Sequence, residues 1–138
     1  MAASTSSSTS SCNSYRHDVF ISHRGPDVKK TFASHLYRRL LSHGLTAFLD
    51  YEELQVGRNF ETEIKEAIRT ASVHVAIFSE RYAESEWCLK ELVLMLKTGA
   101  LIIPVFHNVQ PTVLRCTRAD GIYAQAFDNI YTNNICFY

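Results

Sequence analysis

Val73-His74-Val75-Ala76-Ile77-Phe78, then Ser85-Glu86-Trp87-Cys88-Leu89-Lys90-Glu91-Leu92, then Leu101-Ile102-Ile103-Pro104-Val105-Phe106: the order of these stretches decides the fold. The first and last are compact runs of branched and aromatic side chains, the composition of strands covered on both faces. Between them, Cys88, Leu89, Leu92, Val93 and Leu96 recur at helical spacing as an inward stripe, and Gly99 stands where a helix can stop. Strand, helix, strand is one crossover unit of a parallel sheet.

The same rhythm extends toward the N-terminus. Val19-Phe20-Ile21 and Leu45 to Leu49 read as two further strands. Phe32, Leu36, Leu40 and Leu41 predict a helix from about Val28 to His43, with Gly44 as its stop. Phe60, Ile64, Ala67 and Ile68 predict another, with Asn59 as N-cap and Glu61 and Glu63 in the first turn, where negative charge is favoured. Beyond Phe106 the pattern weakens to a short helical turn at Gln110-Pro111-Thr112 and a helix fragment between Ile122 and Ile130. No fifth strand or final helix is legible before Tyr138. The expectation is an α/β domain: four parallel strands with helices on both faces.

A chain of 138 residues with 46% apolar side chains suits one such domain. Residues 1–14 are mostly Ser, Thr and Ala and read as a disordered tail; residues 15–138 form the domain, atypical from about 116. Fourteen basic and fourteen acidic residues give a formal charge of +0, which argues against a field drawing in nucleic acid or an anionic membrane. Cys12, Cys88, Cys116 and Cys136 are widely separated, with no C-x-x-C pair, so neither a zinc site nor a disulfide framework is expected. No apolar run approaches the roughly 20 residues needed to cross a bilayer. An intracellular, soluble protein follows, in a reducing compartment.

In an open parallel sheet, ligands bind at the carboxyl ends of the strands, where the strand order reverses. The loops expected there are polar: Ser22-His23-Arg24-Gly25-Pro26-Asp27, Asp50 to Arg58, Ser79-Glu80-Arg81-Tyr82, and His107-Asn108. Arg24 suits a phosphate, and Gly25 permits close approach of backbone to ligand. Trp87 and Glu91 stand four residues apart and so share a helix face. Together they offer a flat apolar surface and a carboxylate for hydroxyls or developing positive charge. Plainer readings stand beside these: a lone helix glutamate is usually solvated, a lone tryptophan is usually core, and Arg24 can simply pair with Asp27 across a turn. The six histidines show no H-E-x-x-H spacing, so no metal is expected. G-x-S-x-G, Walker and G-x-G-x-x-G motifs are all missing, and Cys88 on the inward stripe reads as a buried thiol, not a nucleophile.

Taken in order, Asp18 to Asp27, Phe32 to Leu40, Phe48-Leu49-Asp50, Tyr82 to Leu92, Ile103 to Phe106, Val109-Gln110-Pro111 and Val113-Leu114-Arg115 closely resemble the plant-type TIR (Toll/interleukin-1 receptor) domain. The resemblance covers roughly Tyr15 to Phe127. It implies a flavodoxin-like sheet, though the family's C-terminal strand and helix are missing from the pattern of Cys116 to Tyr138. It also implies cleavage of NAD+ to nicotinamide and ADP-ribose or cyclic variants, as immune signals, with NAD+ as substrate and no separate cofactor. By the same resemblance Glu91 matches the catalytic glutamate, and Ser22, Arg24, Gly25, Asp50 and Trp87 lie on the substrate side. Ser34 and His35 match a self-association surface, so other TIR domains are the expected partners, in a cytoplasmic or nucleocytoplasmic setting. Departures from the family pattern are His23 for a usual Phe, Val28-Lys29 for Thr-Arg, Tyr51 for Asp and Val56 for Arg. The alternative function is a non-catalytic module that binds a longer TIR receptor and tunes its assembly.

Overall fold

The computed structural model describes residues 17–49, 60–114 and Tyr123. Strands β1 (Val19–Ser22), β2 (Ala47–Leu49), β3 (Val73–Phe78) and β4 (Leu101–Phe106) run parallel in the order β2-β1-β3-β4. β3 and β4 occupy the stretches read from the sequence. β2 is shorter than expected: the Thr46 N–H and hydroxyl donate to Asp18 Oδ2 at 2.8 and 2.9 Å, and the ladder starts only with the Val19 N–H donating to the Thr46 carbonyl at 3.0 Å.

Side chains alternate across a strand, and this parity sorts the core into two halves. Val19, Ile21, Ala47, Leu49, Val75 and Ile77 gather on one face. Phe20, Ala76 and Phe78 gather on the other, with Ile64, Ala67 and Ile68 from helix α3 (Phe60–Thr70) and Leu89, Leu92 and Met95 from helix α4 (Glu86–Thr98). The second half is aromatic at its centre. Phe20 stacks on Phe48 with ring centroids 5.7 Å apart, and Phe78 meets Tyr82, Phe106 and Tyr123 at 5.1, 5.7 and 5.8 Å.

The helix expected as one piece from Val28 to His43 is interrupted. It begins earlier, as α1 (Gly25–Val28), passes through a π-helical turn (Lys29–Ala33), and continues as α2 (Ser34–Ser42). The Thr31 hydroxyl donates to the Val28 carbonyl at 3.2 Å, a side-chain bond that competes with the regular backbone ladder. Leu36 and Leu40 pack on the first core half, whereas Phe32 and Leu41 are 39% and 45% exposed. Phe32, Leu36 and Leu40 instead line an apolar groove of about 530 Å³ with Val73, Ile103 and Val105.

α4 starts and stops where its residues dictate. The Ser85 hydroxyl oxygen accepts from the Cys88 N–H at 3.2 Å, and Gly99 closes the helix at φ 71°, a left-handed conformation that favours glycine. Of the inward stripe, Cys88, Leu89, Leu92 and Val93 are buried, but Leu96 is 59% exposed. It lies on the same arc in the final turn, where no described residue covers it.

In β4, the N–H of His107 just past the strand donates to the Phe78 carbonyl at 2.9 Å, so alternate N–H groups point toward β3. Pro104 falls on the opposite phase, and its missing donor faces the side of β4 away from β3, the outer rim among the described strands. Among the described residues no helix is long and apolar enough to cross a membrane. The expectations for the 1–14 tail, Asn59, Asp50 and the C-terminal segment apart from Tyr123 lie outside the described residues.

His74 on β3 is fully buried; its Nε2 lies 2.8 Å from the Ile68 carbonyl, the geometry of an N–H donating to that oxygen. Burial holds its imidazole below the ordinary 6.5, and the bond to Ile68 offsets part of that. The unfolded chain therefore takes up the proton first as pH falls. Stability is full above about 6.5 and is lost progressively on acidification toward the depressed folded value. His74→Gln, which keeps an amide donor but cannot titrate, should flatten the fall in thermal midpoint between about pH 7 and about pH 5. Thermal melts of both proteins across that range check it; an unchanged slope refutes it.

Candidate active site

The chain runs from β1 to β2 on one side of β1 and then returns to β3 on its other side, so the order reverses between β1 and β3. The crevice at the carboxyl ends of these two strands is where an α/β sheet takes its ligand. Ser22 closes β1 there. By strand parity Ser22 follows Phe20 onto the α3/α4 side, which aims its hydroxyl at α4.

What it meets is Glu91. The Ser22 hydroxyl donates to Glu91 Oε2 at 2.7 Å, and the two residues are 0% and 4% exposed. The plain reading of Glu91 as a solvated helix residue is therefore wrong. A carboxylate is costly to remove from water without hydrogen bonds, so a glutamate held this deep at the end of a strand is arranged for something other than solubility. Trp87 stands one turn earlier on α4, half-buried against the aromatic core half.

Two more segments meet at these strand ends. Asp27 Oδ2 accepts from the Ser79 hydroxyl at 2.5 Å and from the Arg81 N–H at 3.3 Å, tying α1 to the loop after β3. Arg24 Nη1 donates to Asp27 Oδ1 at 3.3 Å. The simple turn pairing of Arg24 with Asp27 is thus present, and with the Arg24 side chain 23% exposed its guanidinium still reaches solvent. Gly25, half-buried, opens α1 beside it. Asp50 lies outside the described residues.

Sequence reasoning gave no role to one side chain of this site. Tyr82, on a 3₁₀ turn (Tyr82–Glu84), is fully buried, with its phenol oxygen 2.7 Å from Ser22 Oγ and 3.2 Å from the Cys88 carbonyl. Burial first of all, with Cys88 and Glu91 nearby, pushes its phenol well above the ordinary 10. Cys88 is buried as expected, and its thiol donates to the His23 carbonyl at 3.5 Å, stitching α4 to the end of β1. A tyrosine between two loops of polar residues carries no periodic signal; only its position three residues before the Ser85 cap hinted that it would be drawn under α4. Ser34 and His35 sit elsewhere, on α2 against the other face of the sheet, half-buried and exposed respectively.

The family model of the TIR domain matches residues 16–135. Over 104 residues the chain is 44% identical to the probable 2' cyclic ADP-D-ribose synthase BdTIR of Brachypodium distachyon, covering 75% of this chain and 46% of that relative. Over 125 residues it is 38% identical to the TMV resistance protein N of Nicotiana glutinosa, covering 88% of this chain and 11% of the relative. The chain thus spans about half the length of the first and about a tenth of the second. Among solved structures, the TIR domains of the activated Roq1 resistosome, which recognises the pathogen effector XopQ, align with a TM-score of 0.68 at 39% identity, covering 85% of this chain and 72% of that one. The TIR domain of the Toll-related receptor TRR-2 from Hydra magnipapillata aligns with a TM-score of 0.58 at 20% identity, a likeness of fold alone.

Proposed function

The chain belongs to the TIR domain family, and from that premise we propose that it cleaves NAD+ between nicotinamide and ribose, with Glu91 as the catalytic carboxylate. The observation that carries this reading is the burial of Glu91 at the carboxyl end of β1, one turn beyond Trp87 and hydrogen-bonded to Ser22. The similarity to a probable 2' cyclic ADP-D-ribose synthase supports it. As the glycosidic bond breaks, its electron pair goes to the pyridinium nitrogen and discharges nicotinamide, while the ribose takes on oxocarbenium character. A fixed carboxylate beside the ribose stabilises that charge and orients the hydroxyls. Water adding to the ribose carbon, with loss of a proton, gives ADP-ribose; a hydroxyl of the same molecule adding instead gives a cyclic product.

In this reading Trp87 lines the pocket, Gly25 lets backbone approach the dinucleotide, and Arg24 exchanges part of its pairing with Asp27 for a phosphate. Asp50 joins from the loop after β2. The setting is immune signalling in the cytoplasm or nucleocytoplasm, as a domain that works with other TIR domains. Nicotinamide released from NAD+ by the purified chain at high concentration tests the proposal. No release, together with measurable binding to a longer TIR protein, would make the chain a non-catalytic interaction module.

Self-association is expected through α2, where Ser34 and the exposed His35 lie away from Glu91. His35→Ala should lower the mass seen in solution scattering and reduce nicotinamide release several-fold, roughly the loss of one interfacial hydrogen bond, with an unchanged melting profile. Unchanged mass and full activity would refute that surface.

A further inference from the structure

We propose that Tyr82 is a positioning residue for Glu91, acting through Ser22 as the first member of a buried chain of hydroxyls. Its catalytic consequence rests on the NAD+-cleaving reading; its geometry does not. Ser22 has one hydroxyl proton, and against a carboxylate that proton goes to Glu91 Oε2 at 2.7 Å. The 2.7 Å contact between Ser22 Oγ and the Tyr82 phenol must then be donated by Tyr82. With Glu91 ionised, the order runs Tyr82 O–H to Ser22 Oγ at 2.7 Å, the same proton facing the Cys88 carbonyl at the longer 3.2 Å, and then Ser22 O–H to Glu91 Oε2. Tyr82 and Ser22 are both 0% exposed, so water does not compete along the chain.

The chain joins three elements that are distant in sequence: the turn after β3, the end of β1 and the second turn of α4. It holds the carboxylate by one oxygen in one orientation, the pre-organisation that a charge-stabilising group needs. Burial keeps the phenol protonated, so the donor persists across the working pH range. The Tyr82 ring is itself held edge-on by Phe78 at 5.1 Å and 70°. The second acceptor near the phenol, the Cys88 carbonyl at 3.2 Å, is a helix carbonyl with the α4 ladder available to it. Removing the hydroxyl therefore leaves the Cys88 carbonyl bonded, and Ser22 Oγ, which loses a donor, keeps its own bond to Glu91, so Tyr82→Phe should fold.

A double-mutant cycle separates positioning from packing. Tyr82→Phe should lower kcat for nicotinamide release about tenfold, the loss of one hydrogen bond that matters to a charged group, with KM within about twofold. In the Ser22→Ala background, where the chain is already cut, Tyr82→Phe should cost no more than about twofold. Equal losses in both backgrounds would overturn the proposal. A readout independent of turnover is the carboxyl carbon resonance of Glu91 in ¹³C-glutamate-labelled protein, assigned by its disappearance in Glu91→Gln. It should move in Tyr82→Phe in the same direction as in Ser22→Ala, and the double variant should coincide with Ser22→Ala. An unmoved resonance in Tyr82→Phe sinks the positioning role even if NAD+ is cleaved, whereas a wild type that releases no nicotinamide sinks the enzymatic reading and leaves the resonance to decide Tyr82. Should Tyr82→Phe not fold, the phenol carbon resonance of Tyr82 must still move in Glu91→Gln, and its failure to do so overturns the chain.

Discussion

Glu91→Gln should reduce nicotinamide release from NAD+ by about 10²–10³-fold, the usual loss when one charge-stabilising group is removed from a transition state. Glutamine has nearly the same volume, and its carboxamide oxygen can accept the Ser22 hydroxyl as Oε2 does at 2.7 Å. The melting midpoint should therefore stay within a few degrees while activity disappears. Glu91→Ala is a poorer probe: it leaves the Ser22 hydroxyl, 0% exposed, without its acceptor and opens a cavity, so loss of fold and loss of chemistry would be confounded. Stopped assays on both proteins at equal concentration, with matched thermal melts, decide the matter. Activity within a few-fold of wild type in Glu91→Gln would remove the carboxylate from the mechanism.

Phe20→Ala should destabilise the domain by about 3–5 kcal/mol, the range for truncating a buried aromatic, which lowers the melting midpoint by roughly 10–20 °C. Phe20 is 0% exposed at the middle of the sheet, stacked on Phe48 at 5.7 Å and edge-on to His74 at 6.2 Å. A domain of this size holds only about 5–15 kcal/mol in total, so the loss takes a large share of it. Urea titration followed by circular dichroism reads the change; a loss below about 1 kcal/mol would mean that the aromatic half of the core is not packed as described. Because Ser22 lies two residues further on the same face, loosening Phe20 should also blunt nicotinamide release in the fraction that remains folded.

Where local pattern was strong, the sequence foretold the element. β3 and β4, the buried face of α3, and the Gly99 stop of α4 all follow from runs and periodicities contained in a few consecutive residues. Failures occurred where a side chain overrode the backbone pattern or where a neighbour was lacking. One expected helix is two, with a π turn between them where the Thr31 hydroxyl bonds back to the Val28 carbonyl, and the Thr46 N–H and hydroxyl are bound to Asp18 at the start of β2. Leu96 has the right angle on α4 but is left 59% exposed among the described residues. The proximity of Ser22 to Glu91, 69 residues apart, depends on strand parity, strand order and helix rotation together; no window of sequence contains all three. Both were singled out by family likeness, Ser22 also by the loop it opens and Glu91 by the helix face it shares with Trp87, whereas Tyr82, which touches Ser22, matched no catalytic pattern and was left in its loop.

Pro104 gives the rim of the sheet a further property. An extended segment arriving beside β4 would seek a continuous row of amide donors and would find a gap at that residue, next to the exposed, sticky side chains of Leu101 and Ile103. Interrupting the row is one of the ways natural sheets discourage fibril-like stacking. Copies brought close together are thereby discouraged from merging their strands along this rim into an irreversible aggregate.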